Sequence, residues 1–220
     1  MLKQLLNTDS LQKFIKNKDG VVAIEFAFIM PVLLLLYVGV IELSLLISKD
    51  RAVSHAAFIA VNLAAQAPTP DTKTVGKLDK KTIENIFSAT LATMNAKTAD
   101  SSSISIDISS YVRVTNGVHN YGYASLGSKF TTPAPHKNIS DELLNHHSGI
   151  IIVRVEQVYH SFGHDYVNNN ISKKRITDFT LSQTFVQNSR NSRYIKINGG
   201  KNLTCSFVMG TNGMPDVTCN

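Results

Sequence analysis

From Phe26 to Ile41 the chain carries no charged residue. A single acid, Glu42, interrupts the run, which resumes as Leu43-Ser-Leu-Leu-Ile-Ser48. As a helix, the 23 residues from Phe26 to Ser48 would extend about 35 Å at roughly 1.5 Å per residue. A bilayer core is roughly 30 Å thick and needs about 20 apolar residues to cross. A soluble helix of this length needs a polar face, and this stretch has none. It reads as a membrane helix.

The flanks orient it. Residues 1–20 hold Lys3, Lys13, Lys16 and Lys18 against Asp9 and Asp19, a net-basic segment directly before the apolar run. The positive-inside rule places that end in the cytoplasm and everything after Ser48 on the far side. A cleaved signal peptide would have a shorter apolar region closed by a small-x-small site, and no such site follows closely here. The net charge of +6 is spread out, and the compact basic run Lys173-Lys174-Arg175 reads as a solvated loop. With no tryptophan and no basic stripe interleaved with aromatics, a nucleic-acid partner is not expected.

Beyond the membrane run, residues 52–66 are Ala-rich and helix-favouring, with Val53, Phe58, Val61 and Leu63 able to face a partner layer. Pro68 and Pro70 end that helix, so one long helix is expected over about 21–66. A linker from Ala67 to Leu78 follows. Asp79 is positioned as the N-cap of a second helix over about 80–96, with Ile83, Ile86, Phe87, Thr90, Leu91 and Met94 on its buried face.

From Ser103 the period changes to two, with Ile104, Ile106, Ile108, Val112 and Val114 on even positions. Gly117, Gly122, Gly127, Pro133 and Pro135 read as a long irregular crossing, and Ser140-Asp-Glu-Leu-Leu as a short capped helical turn. Residues 150–162 form the strongest strand signal, followed by strands near 177–187, 193–197 and 203–209. The expected fold class is α+β: a long N-terminal helix, and a second helix packed on a small antiparallel sheet. The expected divisions are a basic leader at 1–20, a transmembrane helix at 21–48, its extension at 49–66, and an α+β domain at 67–220. Cys205 and Cys219 match no zinc or redox spacing. Outside the cytoplasm they can pair, closing a loop of about 15 residues, and this reading is favoured over free thiols.

The stretch Gly20-Val-Val-Ala-Ile-Glu25-Phe26 asks for more than hydrophobicity. A carboxylate at membrane depth is costly and usually has a partner. If the chain were cut after Gly20, the new amino group of Val21 would lie one turn from Glu25 and could neutralise it within or between subunits. Glycine at the cut would keep the backbone extended and accessible. Glu42 lies roughly 32 Å along the helix from Val21, near the outer interface, where a solvated carboxylate costs little.

These residues resemble the N-terminus of the type IV pilin superfamily, and more specifically the TadE-like pseudopilins of tight-adherence pilus systems. The likeness rests on Gly20, Val21, Glu25, Phe26 and Pro31 with its apolar continuation, then Gly39-Val-Ile41-Glu42. It is specific over about 21–66 and loose beyond. The strand at 150–162 and Leu181-Ser-Gln-Thr-Phe-Val186 resemble the paired strands that close the family's periplasmic domain. The resemblance implies cleavage between Gly20 and Val21 by a prepilin peptidase in a bacterial inner membrane. It also implies partners among other pilins, pseudopilins, pilus assembly proteins and membrane lipid, and a minor or accessory part in pilus or secretion-pseudopilus assembly. The family's major pilin is much shorter than the 200 residues left after such a cut.

Elsewhere the chemistry is thin. His160, His164 and Asp165 are the metal candidates, since imidazole and carboxylate suit zinc, but Gly163 breaks any helical register between the two histidines. No phosphate loop, nucleophile elbow or acid–base pair is present, so neither a cofactor nor an enzymatic activity is expected. The alternative reading is an uncleaved single-pass protein whose outer domain binds a ligand or metal.

Overall fold

The computed structural model describes residues 19–69, 74–96, 103–114, 117–135, 148–161, 178–210 and 214–220. The chain divides into two compact units, Met1–Leu46 and Ile47–Asn220. Helix α1 spans Asp19–Ala65 and runs through Pro31 without a break. Pro31 has no N–H to offer the carbonyl one turn back, a loss that membrane helices tolerate through local adjustment.

In the second unit, residues 47–65 of α1 contribute Val53, Ala56, Ala57, Ala60, Val61, Ala64 and Ala65 to the core. The buried stripe is mostly alanine; of the four larger residues expected to face a partner layer, Val53 and Val61 are buried and Phe58 and Leu63 are not. Phe58 is 52% exposed and Leu63 39%. Small side chains let the helix axis approach the layer beneath, and the large ones are left on its flanks. Phe58 meets the edge of the Phe185 ring there, at 6.1 Å between centres.

Helix α2, Lys80–Thr93, starts where expected: the Asp79 carboxylate accepts from the Thr82 amide at 3.0 Å. Bonds from the Thr82 hydroxyl and amide hold that carboxyl below its ordinary range. Ile83, Ile86, Phe87, Thr90 and Leu91 are buried along one face, with Met94 just beyond the helix end. The polar side of the helix ties to the last strand, through Ser88 Oγ to the Pro215 carbonyl and Glu84 Oε1 accepting from the Cys219 amide.

Among the described residues the unit has eight strands: β1 Val75–Leu78, β2 Ile104–Val114, β3 Gly117–Leu126, β4 Gly149–His160, β5 Asp178–Asn188, β6 Tyr194–Ile197, β7 Asn202–Met209 and β8 Pro215–Cys219. Six form one sheet in the order β5-β4-β2-β3-β7-β8, and β1 pairs with β6 as a separate two-stranded ribbon. The fold is α+β, but the sheet is not purely antiparallel. Strand β3 runs parallel to β7, and β1 parallel to β6.

Two strands replace expected irregular segments. The linker region holds β1, a four-residue strand too short to show a period, whose partner lies more than a hundred residues away. The first part of the glycine-marked crossing, Gly117–Leu126, is β3, and residues 127–135 are irregular as expected. Gly122 sits at φ +126° with the Ile197 carbonyl 2.5 Å from where a Cβ would stand, so its glycine marks a close approach inside a strand. Gly149 similarly abuts the Tyr194 backbone. The helical turn expected at 140–144 lies outside the described residues.

Strand β2 is buried on both faces over Ile104–Val112. Ile104, Ile106 and Ile108 join Ile151, Val153 and Val155 of β4 in the core shared with the helices. The opposite face is covered by residues 127–135. Strands β7 and β8 place Cys205 opposite Cys219, and the two are bonded. Reducing this link across 14 residues of separation should lower the stability of the unit by about 3 kcal/mol, read as a drop in the urea midpoint with reductant. An unchanged midpoint would mean that α2 and the ladder hold β8 without it.

Candidate functional site: the exposed apolar helix

Gly20 and Val21 lie in the first turn of α1. The backbone at the bond is helical rather than extended. A peptidase would therefore have to unwind this turn, whose first amides have no partners within a helix.

Glu25 and Phe26 are both exposed in the first unit, and so are the apolar residues after them. Phe28 is 76% exposed and Leu35 73%. Large apolar side chains surround the helix on every side from Ile24 to Ile47 instead of forming one stripe. A helix that is apolar all round belongs in a core or a membrane, and this stretch is exposed. From Ile24 to Ala65 it is long and apolar enough to cross a bilayer. Glu25, near its start, is the acid whose solvation such a crossing would remove.

The second unit holds a polar constellation that no motif announced. Asp107 on β2 pairs across the ladder with Arg154 on β4. The carboxylate side chain is fully buried, and Arg154 binds it through Nε at 2.6 Å and through Nη2. Ser109 Oγ donates to the other carboxylate oxygen at 2.8 Å and accepts from the Ala134 amide at 3.0 Å. Arg154 Nη2 also donates to the Thr132 carbonyl at 2.9 Å, and the guanidinium stacks on Phe130 at 4.3 Å.

Tyr111 and Tyr123 donate to the carbonyls of Ala134 and Phe130, and burial raises both phenols above their ordinary range. Lys129 pairs with Glu156 beside them. These groups clamp residues 127–135 onto the sheet. Burial pushes Asp107 up to about 6, against the pull of Arg154 and Ser109. Both carboxylate oxygens are occupied by protein donors, so the constellation reads as a fastening. Its signal in the sequence was only an Asp and an Arg among the other polar residues that alternate with the apolar ones of β2 and β4.

Of the metal candidates, His160 pairs with Asp178 across the β4–β5 ladder, Nδ1 to Oδ1 at 2.9 Å. His164 and Asp165 lie outside the described residues. Among the described residues no group of three His, Cys, Asp or Glu side chains could hold a metal ion. The two strand segments compared with the family's closing pair, in β4 and β5, are neighbours in register from Ile150–Asn188 to His160–Asp178.

The arrangement defines a class: an α+β unit carried on a helix of membrane-crossing length and composition. Residues 20–62 match the family model described as TadE-like protein. The match covers the apolar helix and most of its extension and stops before β1. No curated protein and no solved structure matches the chain.

Proposed function

We propose that this chain is a membrane-anchored minor pseudopilin that serves in the assembly of a tight-adherence pilus or a related secretion pseudopilus. The observation that carries the reading is the match over residues 20–62, which coincides with the exposed apolar helix and includes Glu25. In this reading the part of α1 up to about residue 48 lies in the bacterial inner membrane with its N-terminus cytoplasmic, and the rest of α1 and the α+β unit are periplasmic. A prepilin peptidase cuts between Gly20 and Val21. The freed Val21 amine pairs with Glu25 of its own or a neighbouring subunit, and apolar helices pack side by side with other pilins and pseudopilins. The protein works by assembly rather than by catalysing a reaction. An oxidising compartment is consistent with the Cys205–Cys219 bond.

N-terminal mass spectrometry of the membrane-extracted protein, with and without a co-expressed prepilin peptidase, tests this directly. The mature chain should begin at Val21 only when the peptidase is present. A chain beginning at Met1 under both conditions would remove processing and leave an anchored scaffold.

A further inference from the structure

The β1–β6 ribbon has an outward face that the core does not use. Leu78, Ile195 and Ile197 are buried, whereas Lys77 is exposed and Tyr194 and Lys196 are half-buried. The parallel register sets Lys77 directly beside Lys196, and Val75 beside Tyr194. Like charges opposite each other on one sheet face repel. Neither ammonium has a carboxylate partner among the described residues. Asp79, two residues from Lys77, is engaged in capping α2.

An aromatic pair adjoins the lysines. The Tyr121 ring meets Tyr194 at 4.9 Å between centres with the planes tilted by 51°, and Lys196 Nζ lies 5.8 Å from the centre of the Tyr121 ring. Neither β3 nor β6 brings a negative charge of its own to this face. The sequence has no Asp or Glu from 108 to 140 or from 179 to 215, the stretches that supply β3 and β6. Two adjacent cations without a counter-charge attract an anion, and an aromatic face beside them favours a ligand with flat apolar faces as well as charge. A chain of uronate sugars has both: carboxylates for the ammonium groups and C–H faces for the rings. An acidic peptide would use the lysines but not the rings.

We propose that the Lys77, Lys196, Tyr121 and Tyr194 face binds an acidic polysaccharide of the polyuronate class. This goes beyond the pseudopilin reading and does not depend on it, since an unprocessed chain would carry the same face.

The test is retention of the full chain, in mild detergent, on immobilised alginate at moderate salt. Dextran, dextran sulfate and poly-glutamate serve as comparison polymers. Alginate should bind and dextran should not. Lys77→Gln with Lys196→Gln should weaken alginate binding about tenfold or more. Tyr121→Leu, which stays apolar and removes the ring, should weaken it by a comparable factor. Thermal midpoints of the variants, close to that of the parent, separate these losses from misfolding.

Three results would overturn the proposal. One is no retention on alginate. Another is equal retention on dextran sulfate with no effect of Tyr121→Leu, which is plain ion exchange. The third is equal or tighter binding to poly-glutamate, which would mark an acidic protein as the partner.

Discussion

Replacing Arg154 with methionine should destabilise the Ile47–Asn220 unit by about 3–5 kcal/mol near neutral pH, the cost of leaving a buried carboxylate without its partner. The variant keeps much of the aliphatic stem but loses both bonds to Asp107, the bond to the Thr132 carbonyl and the stacking on Phe130. Two attachments of residues 127–135, at Thr132 and Phe130, are made by Arg154 itself, so protease cleavage within that segment should accelerate before the global transition. A urea midpoint close to that of the parent would show that the ion pair contributes little beyond packing.

The same cluster predicts a pH dependence whose sign can be stated. Asp107 titrates at about 6 in the folded protein and near 3.8 when unfolded, so between these values the folded state holds more proton. Its contribution to stability is fully present below about 3.8 and is lost as pH rises through about 6. Two units correspond to about 3 kcal/mol, and full burial leaves little solvent screening. Comparing the parent with Asp107→Asn isolates this group from the other carboxylates. The parent should gain about 2.5 kcal/mol on the variant as the pH is lowered from 7.5 to 4. The opposite trend would mean that the Arg154 charge outweighs desolvation and that the carboxyl sits below its ordinary range.

If the chain assembles as proposed, Glu25→Ala should reduce its association with pilin-like subunits about a hundredfold without preventing insertion of the apolar helix. The reasoning starts from the cost of a lone acid at membrane depth, roughly 2.5–3.5 kcal/mol on insertion scales. Where the partner is the Val21 amine of a neighbouring subunit, that cost is relieved only on assembly. At 1.4 kcal/mol per decade, losing that drive corresponds to about two orders of magnitude in association. Cross-linking between pilus components in the membrane, compared between parent, Glu25→Ala and Glu25→Gln, reads it out. Both variants should fall together, because neither carries the charge. Undiminished cross-linking in both would show that helix packing alone drives assembly and that Glu25 has another role. Glu42→Gln, the acid near the far end of the apolar run, should leave assembly close to the parent.

The features legible in the sequence are those set by neighbours along the chain. An uncharged run from Phe26 to Ile41 has one inexpensive solvent, and no tertiary contact is needed to say so. The Asp79 cap and the Ile83-Ile86-Phe87-Leu91 stripe specify α2 within a single stretch, and alternating isoleucines specify β2. Gly20 and Glu25 stand out because they break the local apolar pattern.

What the tertiary structure alone decided involves residues far apart. Whether Gly122 marks a loop or a strand depends on the Ile197 carbonyl lying against it. The parallel pairing of β3 with β7 and of β1 with β6 leaves no periodic trace, because strand direction is not a property of either segment by itself. The alanines of α1 became core because the layer beneath lies close, and the larger Phe58 and Leu63 could not fit there. Asp107 and Arg154 looked like ordinary outward-facing residues of half-buried strands. They became a buried pair only when residues 127–135 folded over them and removed the water.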